Sequence, residues 1–253
     1  MPDRFRFRNA MPTSGIRASV LVPEISDGVA KMRLYDPIDD WGGDWGVSAK
    51  EFASALAALP AEVHTIHLHI NSPGGMVFEG VAILNQLRQH SAKVVAIVDG
   101  LAASAASFIA CGADEVQMSP NTQLMIHDAW GLAIGNAATM RDAGDLLDRL
   151  SDNIASVYAS KTGGTTAEWR TAMLAESWYS AEEAVAAGLA DSIVGETSDD
   201  QAVKDAAASF DLSTFKFGGR DEAPEPLITN KGGIAAGLQS ERKRVADKYH
   251  RLG

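Results

Sequence analysis

Two strand-like runs in this chain are each followed at once by a helical pattern, and this alternation restricts the fold. HTIHLHI (64–70) is β-branched and alternating, ends at the turn NSPGG (71–75) and precedes a helical pattern over 77–90. KVVAIVDG (93–100) is a continuous apolar run typical of a strand buried on both faces, and the small-residue helix AASAASFIACG follows it. Strands that alternate with helices pair in parallel through right-handed crossovers, so the sequence predicts a layered α/β sheet.

The rest of the chain adds elements to this core. Ser48 predicts the start of a helix over 49–59, because Glu51 completes a capping box with it. A long helical stretch covers about 138–161, and Thr165 or Thr166 is suited to begin the next helix. Further strand patterns occur at 29–39, 115–119 and 123–129.

Composition divides the chain into three parts. Residues 1–28 carry Pro, Gly, Ser and Arg without a clear period, which indicates a flexible N-terminal arm. Residues 29–196 contain the strand and helix patterns and form the predicted domain. Residues 197–253 begin with a low-complexity linker rich in Asp, Ala, Ser, Gly and Pro and end in a pattern for a short helix over 240–252.

Charge and cysteine content limit the classes of partner and the compartment. The formal net charge is −11, which argues against binding to nucleic acid or to an anionic membrane. Cys111 is the single cysteine, so an intrachain disulfide is excluded and a reducing compartment is favoured. No apolar run has the length of a signal peptide or of a membrane span, and we therefore expect a soluble, cytoplasmic protein.

Ser104 lies in DGLAASAAS, where a buried strand meets a helix of small residues. At a helix N-terminus, free backbone N–H groups and the helix dipole favour developing negative charge, which suits a nucleophile. Small residues at such a junction more often mark tight packing, and Ser107 is a rival serine one turn further on.

The turn INSPGG (70–75) and His127 are the other chemically suggestive features. Pro73 and two glycines allow a backbone conformation in which an N–H group faces a ligand, at the strand end where open α/β sheets bind ligands. His127 ends the apolar strand LMIH and is either a core residue or a general base. His67 and His69 share a strand face, but no cysteines or carboxylates at metal-site spacing accompany them, so we expect no metal.

Four motifs in order resemble the Clp protease proteolytic subunit family, and most closely its bacteriophage relatives that act as head maturation proteases. They are INSPGG, DGLAASAASFIA, LMIHDAWG and ESWYSAEEAVAAGLADSI (176–193), and the resemblance covers about residues 30–195. It implies the Clp protease/crotonase-like layered fold of repeated ββα units, in which the long helix over 138–161 is a protruding handle. It also implies a serine-type endopeptidase that needs no cofactor.

The resemblance assigns roles to specific residues. Ser104 is the implied nucleophile and His127 its base, while the N–H groups of Gly75 and Ala105 form the implied oxyanion hole. Residues of the Gly-rich turn are implied to hold the substrate in extended form, namely Asn71, Ser72, Pro73 and Gly74.

The third member of the implied triad departs from the family pattern. The position that usually holds Asp, shortly before the WYSAEEA segment, holds Glu176 in this chain. A glutamate can orient an imidazolium, but it is one methylene longer than aspartate. Asp128 and Asp191 are alternatives.

Partners and rival functions also follow from the resemblance. A polypeptide substrate is expected, either capsid or scaffold protein for a phage enzyme, together with a homo-oligomeric ring. A cellular Clp subunit would instead work with an ATPase unfoldase, because the chain has no phosphate-binding G-x-x-x-x-G-K-[ST] motif of its own. Other readings are a crotonase-like acyl-CoA enzyme, a Ser-Lys peptidase and a catalytically silent ring subunit.

Overall fold

The computed structural model describes the backbone of residues 5–6 and, in full, residues 22–42, 46–195, 210–228 and 230. Within these residues the chain is a mixed α/β structure with ten strands and six helices, which confirms the predicted fold class. No helix of this part combines the length and the apolar character needed to span a bilayer. The helix predicted over 240–252 lies outside the described residues.

The strands are β1 (Phe5–Arg6), β2 (Glu24–Ser26), β3 (Val29–Leu34), β4 (Thr65–Ser72), β5 (Lys93–Ala103), β6 (Glu115–Met118), β7 (Gln123–Ile126), β8 (Leu132–Ala133), β9 (Ser177–Ser180) and β10 (Ser192–Ile193). The helices are α1 (Ala49–Ala57), α2 (Val77–Gln89), α3 (Ala105–Cys111), α4 (Ala137–Thr162), α5 (Thr166–Ala175) and α6 (Ala181–Ala187).

The main sheet has the strand order β10-β6-β5-β4-β3-β2. All of its neighbours pair in parallel except β2, which is antiparallel to β3. The long strand β5 has two successive neighbours on one side: Val95–Val98 pair with β6, and Leu101–Ala103 pair with β7. β9 then adds to β7 in antiparallel orientation. The ends of β5, β7 and β9 therefore lie side by side, which brings together residues that are far apart in sequence.

Side-chain caps fix where several helices begin. Ser48 and Glu51 form the predicted capping box at α1, and Thr165 with Glu168 forms another at α5. One face of β3 and β4 is buried in the core while residues of the other face are half-buried, and β5 is mostly buried on both faces. The resulting rigid core holds the strand ends from which the candidate site is built.

Two described segments belong to parts predicted as arm and linker. β2, within residues 1–28, pairs with β3 through Glu24–Ser26. Residues 210–228, within 197–253, pack on the sheet and form a second apolar cluster with it. Its members are Leu101, Ala103, Met125, Trp178 and Ala223, with Phe210, Leu212, Phe215 and Phe217 packed against them.

Candidate active site

Ser104 lies at the junction between β5 and α3, as the sequence predicts, and its backbone is strained. It has φ 54° and ψ −120°, a region that non-glycine residues rarely occupy. Its N–H donates to the carbonyl of Met125 on the neighbouring strand β7, at 3.0 Å. The strained turn is therefore anchored to the strand that leads to His127.

His127 directly follows β7, and its Nε2 lies 2.7 Å from the Ser104 Oγ. The register of the sheet causes this proximity, because Ala103 of β5 pairs with Met125 of β7. Burial lowers the pKa of His127 to about 4, although the charge of Glu176 acts in the opposite direction. The imidazole is therefore neutral near pH 7, the form in which it can accept a proton from a hydroxyl.

The Gly-rich turn after β4 lies directly beside Ser104. Gly74 has φ 86° and Gly75 has φ 157°. A Cβ at Gly75 would lie 1.9 Å from the carbonyl oxygen of Ile38, so a side chain cannot be accommodated at this position. The Gly74 carbonyl accepts from the Ile38 N–H, and the Met76 N–H donates to the Ile38 carbonyl, which fixes the turn on both sides of Gly75.

Two polar side chains of the turn are bonded to the protein's own backbone. Asn71 accepts a hydrogen bond from the Leu101 N–H at 3.0 Å. Ser72 donates to the Asp36 carbonyl at 2.7 Å and accepts from the Gly74 N–H at 3.1 Å. Both residues are buried. These contacts give them a clear part in shaping the turn, while the predicted contact with substrate stays a prediction for Asn71, Ser72, Pro73 and Gly74.

The N–H groups of Gly75 and Ala105 have no hydrogen-bond acceptor among the described residues. Ala105 is the first residue of α3, so its N–H is one of those that a helix leaves unpaired. Gly75 and Ser104 line the same pocket. The arrangement could stabilise an oxyanion, as the sequence predicts, if both N–H groups point at the same substrate oxygen.

Glu176 is held by N–H groups and does not hydrogen-bond to His127. It follows α5 in the left-handed region with φ 57°. Its Oε1 accepts from the Trp178 Nε1 at 3.1 Å and from the Phe217 N–H at 3.0 Å, and its Oε2 accepts from the Lys216 N–H at 2.8 Å. Its charge nevertheless raises the pKa of His127, so it acts on the imidazole electrostatically.

The other candidate carboxylates have partners elsewhere. Asp128 forms a two-point ion pair with Arg170, with distances of 3.0 and 2.8 Å. Asp191 pairs with Lys161 and accepts from the Val116 N–H. Glu176 is the carboxylate whose charge raises the pKa of His127, which supports it over these two as the acid beside the base.

Ser107, the rival nucleophile, is buried, and its hydroxyl is bonded to groups other than His127. Its hydroxyl donates to the Ser104 carbonyl at 2.6 Å and lies 2.7 Å from the Tyr158 hydroxyl. Tyr158 comes from the long helix α4 and was not predicted as a site residue, because an aromatic residue on a helical stripe usually packs in the core.

An open pocket lies in front of Ser104 and His127. Its lining combines apolar residues, such as Met76 and Phe108, with the polar groups of Ser104, His127 and Tyr158, so a ligand there meets both kinds of surface. The lining residues are Gly75, Met76, Val77, Ser104, Phe108, His127, Ala129, Trp130, Ile154 and Tyr158. Met76 directly follows INSPGG, and Trp130 lies within LMIHDAWG, so the available signal for both residues was their position at or in a motif.

His67 and His69 do not belong to a metal site in the described part of the chain, where no three His, Cys, Asp or Glu side chains are grouped to hold an ion. His69 pairs through Nδ1 with Asp99, at 2.6 Å. Tyr35 donates to the same carboxylate at 2.5 Å, and burial together with this bond raises the pKa of Tyr35.

Comparisons with known proteins agree with this architecture. A sequence model of the family described as Clp protease matches residues 34–197, which is more than half of the chain. The "ATP-dependent Clp protease proteolytic subunit" of Chlorella vulgaris is 31% identical over 153 residues, covering 59% of this chain and 76% of that protein. The "ATP-dependent Clp protease proteolytic subunit 1" of Synechococcus sp. (strain CC9902) is 30% identical over 151 residues, covering 58% of this chain and 77% of that protein.

Proposed function

This chain belongs to the Clp protease family, and we propose that it is a serine endopeptidase in which Ser104 is the nucleophile and His127 the general base. The observation that carries the proposal is the 2.7 Å contact between the His127 Nε2 and the Ser104 Oγ. This distance is within the range required for proton transfer from a hydroxyl to a base.

The proposed reaction is acyl transfer in two steps. Ser104 Oγ attacks the scissile carbonyl carbon as its proton passes to His127, and the protonated His127 then delivers that proton to the leaving amine. Water, deprotonated by His127, hydrolyses the acyl-enzyme and releases Ser104. Glu176 stabilises the imidazolium by its charge, and the Gly75 and Ala105 N–H groups receive the oxyanion.

The reaction can be tested with a fluorophosphonate probe. The probe should attach to the peptide that contains Ser104, identified by mass spectrometry, and Ser104→Ala should abolish labelling. His127→Ala should lower the labelling rate by about 10³-fold or more, because the hydroxyl loses its base. Attachment to Ser107 instead, or an unchanged rate in His127→Ala, would refute the assigned roles.

The same labelling separates two rival functions from the peptidase. A crotonase-like acyl-CoA enzyme needs the oxyanion hole but no Ser-His pair, so a folded preparation of it would not react with the probe. A silent ring subunit would likewise stay unlabelled. The Ser-His contact favours neither of them, since neither function uses it.

We assign the biological role to phage head maturation, on the resemblance of the DDWGGDWGVSAKEF and ESWYSAEEA segments to the phage group. Capsid or scaffold protein is then the substrate, and the protein acts in the host cytoplasm or within the prohead. This role predicts that a capsid gene lies beside this gene and that co-expression with its product gives Ser104-dependent cleavage. A genome without neighbouring capsid and portal genes would overturn the assignment.

A cellular role with an ATPase unfoldase is the second candidate, because both relatives carry "ATP-dependent" in their names. It predicts that a stably folded substrate is degraded only when an unfoldase and ATP are added. The phage role predicts cleavage of capsid protein by the purified chain alone.

A homo-oligomeric ring is proposed for either role. Apolar side chains between the start of β8 and the first turn of α4 are exposed in the single chain, as expected of a surface that other subunits cover: Leu132, Ile134 and Met140. Light scattering should give a mass that is a multiple of the 26.8 kDa chain.

A further inference from the structure

Residues 210–228, called the strap below, lie outside the region matched by the family and yet reach the candidate active site. They were predicted as part of a linker. Two backbone N–H groups of the strap contact Glu176 and one of its aromatic rings contacts His127, while an ion pair fastens the strap to the domain.

The backbone of the strap binds the Glu176 carboxylate. The Lys216 N–H donates to Oε2 at 2.8 Å, and the Phe217 N–H donates to Oε1 at 3.0 Å. The ammonium group of Lys216 lies over the Phe217 ring, 5.1 Å from its centre. Within the described residues the carboxylate is thus held by N–H dipoles and not by an ion pair, and its charge acts on His127.

An aromatic side chain of the strap packs against the base itself. The Phe215 ring meets the His127 ring edge to face, with 5.5 Å between centres and 66° between planes, and it also meets Trp178 at 6.1 Å. Trp178 donates to Glu176 as well. Phe215 is not among the residues that line the pocket in front of Ser104, so it contacts His127 without occupying that pocket.

An ion pair and a side-chain amide fasten the strap to the domain. Arg220 contacts both oxygens of Glu183 on α6, each at 2.6 Å, and its N–H donates to the Gln123 side chain on β7 at 3.0 Å. A two-point guanidinium–carboxylate pair has a defined geometry. The strap is therefore held at fixed places on β7, which leads to His127, and on α6, which follows β9.

We propose that the strap is a positioning element of the catalytic site, in which Phe215 fixes the His127 imidazole and the amides of Lys216 and Phe217 fix the Glu176 carboxylate. The inference rests on the proposed peptidase function. It assigns part of the site to residues beyond the matched family region.

The test compares full-length variants by their rate of fluorophosphonate labelling between pH 3.5 and 8. Phe215→Ala should lower the rate by about 10–100-fold, because the His127 imidazole would no longer be fixed in the orientation that accepts the Ser104 proton. It should also move the acid limb of the profile upward from pH 4, since water then reaches His127 and burial is the main cause of its low pKa. Phe215→Tyr keeps the ring and should restore most of the rate.

The groups that face His127 determine how this profile is interpreted. They are the Ser104 hydroxyl, the Glu176 carboxylate and the uncharged Phe215 ring, while the adjacent Asp128 is paired with Arg170. A purely structural loss in Phe215→Ala would lower the fraction of folded protein without moving the limb. Circular dichroism at each pH measures that fraction.

A second pair of variants tests the amides. Lys216→Pro removes one donor to Glu176, whereas Lys216→Ala keeps it, so the proline variant should label about ten times more slowly than the alanine variant. Glu225→Gln, at an exposed position of the strap, is the control and should match the wild type. This pair remains decisive if Phe215→Ala does not fold.

Two failures can be distinguished. If the folded wild type is not labelled at Ser104, the proposed function is wrong. If it is labelled but Phe215→Ala and Lys216→Pro react at its rate with its pH profile, only the role of the strap is wrong. Faster labelling in these variants would also overturn the inference, because the strap would then restrain the site.

Discussion

The backbone of Gly74 lies directly against Ser104. A Cβ at Gly74 would be 2.7 Å from the Ser104 Cβ, 2.4 Å from the Ala103 carbonyl oxygen and 2.6 Å from the Ala105 nitrogen. The turn after β4 and the turn after β5 therefore pack backbone to backbone, which is how two distant motifs come to form one site.

Gly74→Ala adds only one methyl group but should lower both the stability of the protein and the reactivity of Ser104. Its φ of 86° alone costs a non-glycine residue about 1–3 kcal/mol, and the added methyl group would push the Ser104 turn aside. We expect a lower melting temperature and a loss of Ser104 labelling of about 100-fold, since labelling depends on the contact with His127.

Gly144→Ala is the matched control for that variant. Gly144 lies on the exposed side of α4, and a Cβ there would meet nothing within 4 Å. Alanine should stabilise the helix by about 0.5–1 kcal/mol. Equal behaviour of the two alanine variants in melting and labelling would contradict the packing argument.

The pH dependence of Ser104 labelling should follow the buried state of His127. Because burial lowers its pKa to about 4, the imidazole stays neutral well below pH 6.5 in the folded protein. We therefore expect the labelling rate to be nearly constant from pH 7 to pH 5.5 and to fall near pH 4. A midpoint close to 6.5 would contradict the burial of the base.

The same shift has a consequence for stability. Between about pH 6.5 and 4 the unfolded chain binds a proton at this histidine and the folded protein does not, so stability decreases as the pH falls through this range. Urea unfolding of the wild type and of His127→Gln at pH 7 and 5 should show a smaller pH effect in the variant.

The sequence was sufficient to predict the alternating elements and the order of the motifs, because each of these is local. It assigned the run that begins at Ala102 to a helix, whereas β5 extends to Ala103 and α3 begins only at Ala105. Alanine-rich residues favour helix locally, but Leu101–Ala103 pair with β7, and this tertiary contact determines the outcome. The strained conformation of Ser104 marks the change from strand to helix.

The strap was missed because its overall composition is that of a linker. The available signal was the close spacing of four large apolar residues between Phe210 and Phe217. Nothing local shows what such residues pack against. One partner of the Glu176 carboxylate is likewise a backbone N–H group 40 residues away in sequence. Residue identity does not indicate which backbone N–H group will bind a given side chain, so this contact could not be predicted.

Cys111 should not react with thiol reagents in the folded protein. Its side chain is buried in α3, and burial raises the pKa of the thiol to about 12, so almost no thiolate is present at pH 8. We expect no modification by iodoacetamide under native conditions and complete modification in urea. Modification of the native protein faster than its unfolding would show that α3 opens locally.

Arg170 connects three elements behind the site, and its removal should destabilise the protein in a pH-dependent way. It contacts Asp128 after β7 and also Asp148 and Asp152 on α4, at 2.8–2.9 Å for the closest approach to each. Arg170→Gln should cost about 1–3 kcal/mol at pH 7, because the partly buried Asp128 loses its cation.

The pH dependence identifies Asp128 as the cause. Burial raises the pKa of Asp128 and Arg170 opposes this effect, so the variant should have a still higher pKa at this carboxyl. A raised pKa in the folded state means that stability is lost as the pH rises, and the deficit of Arg170→Gln should therefore shrink at low pH. Arg33→Gln, which breaks a more exposed pair with Glu24, should cost less than about 1 kcal/mol. Urea unfolding at pH 7 and 5 measures both variants, and equal, pH-independent losses would show that Arg170 stabilises the fold by packing alone.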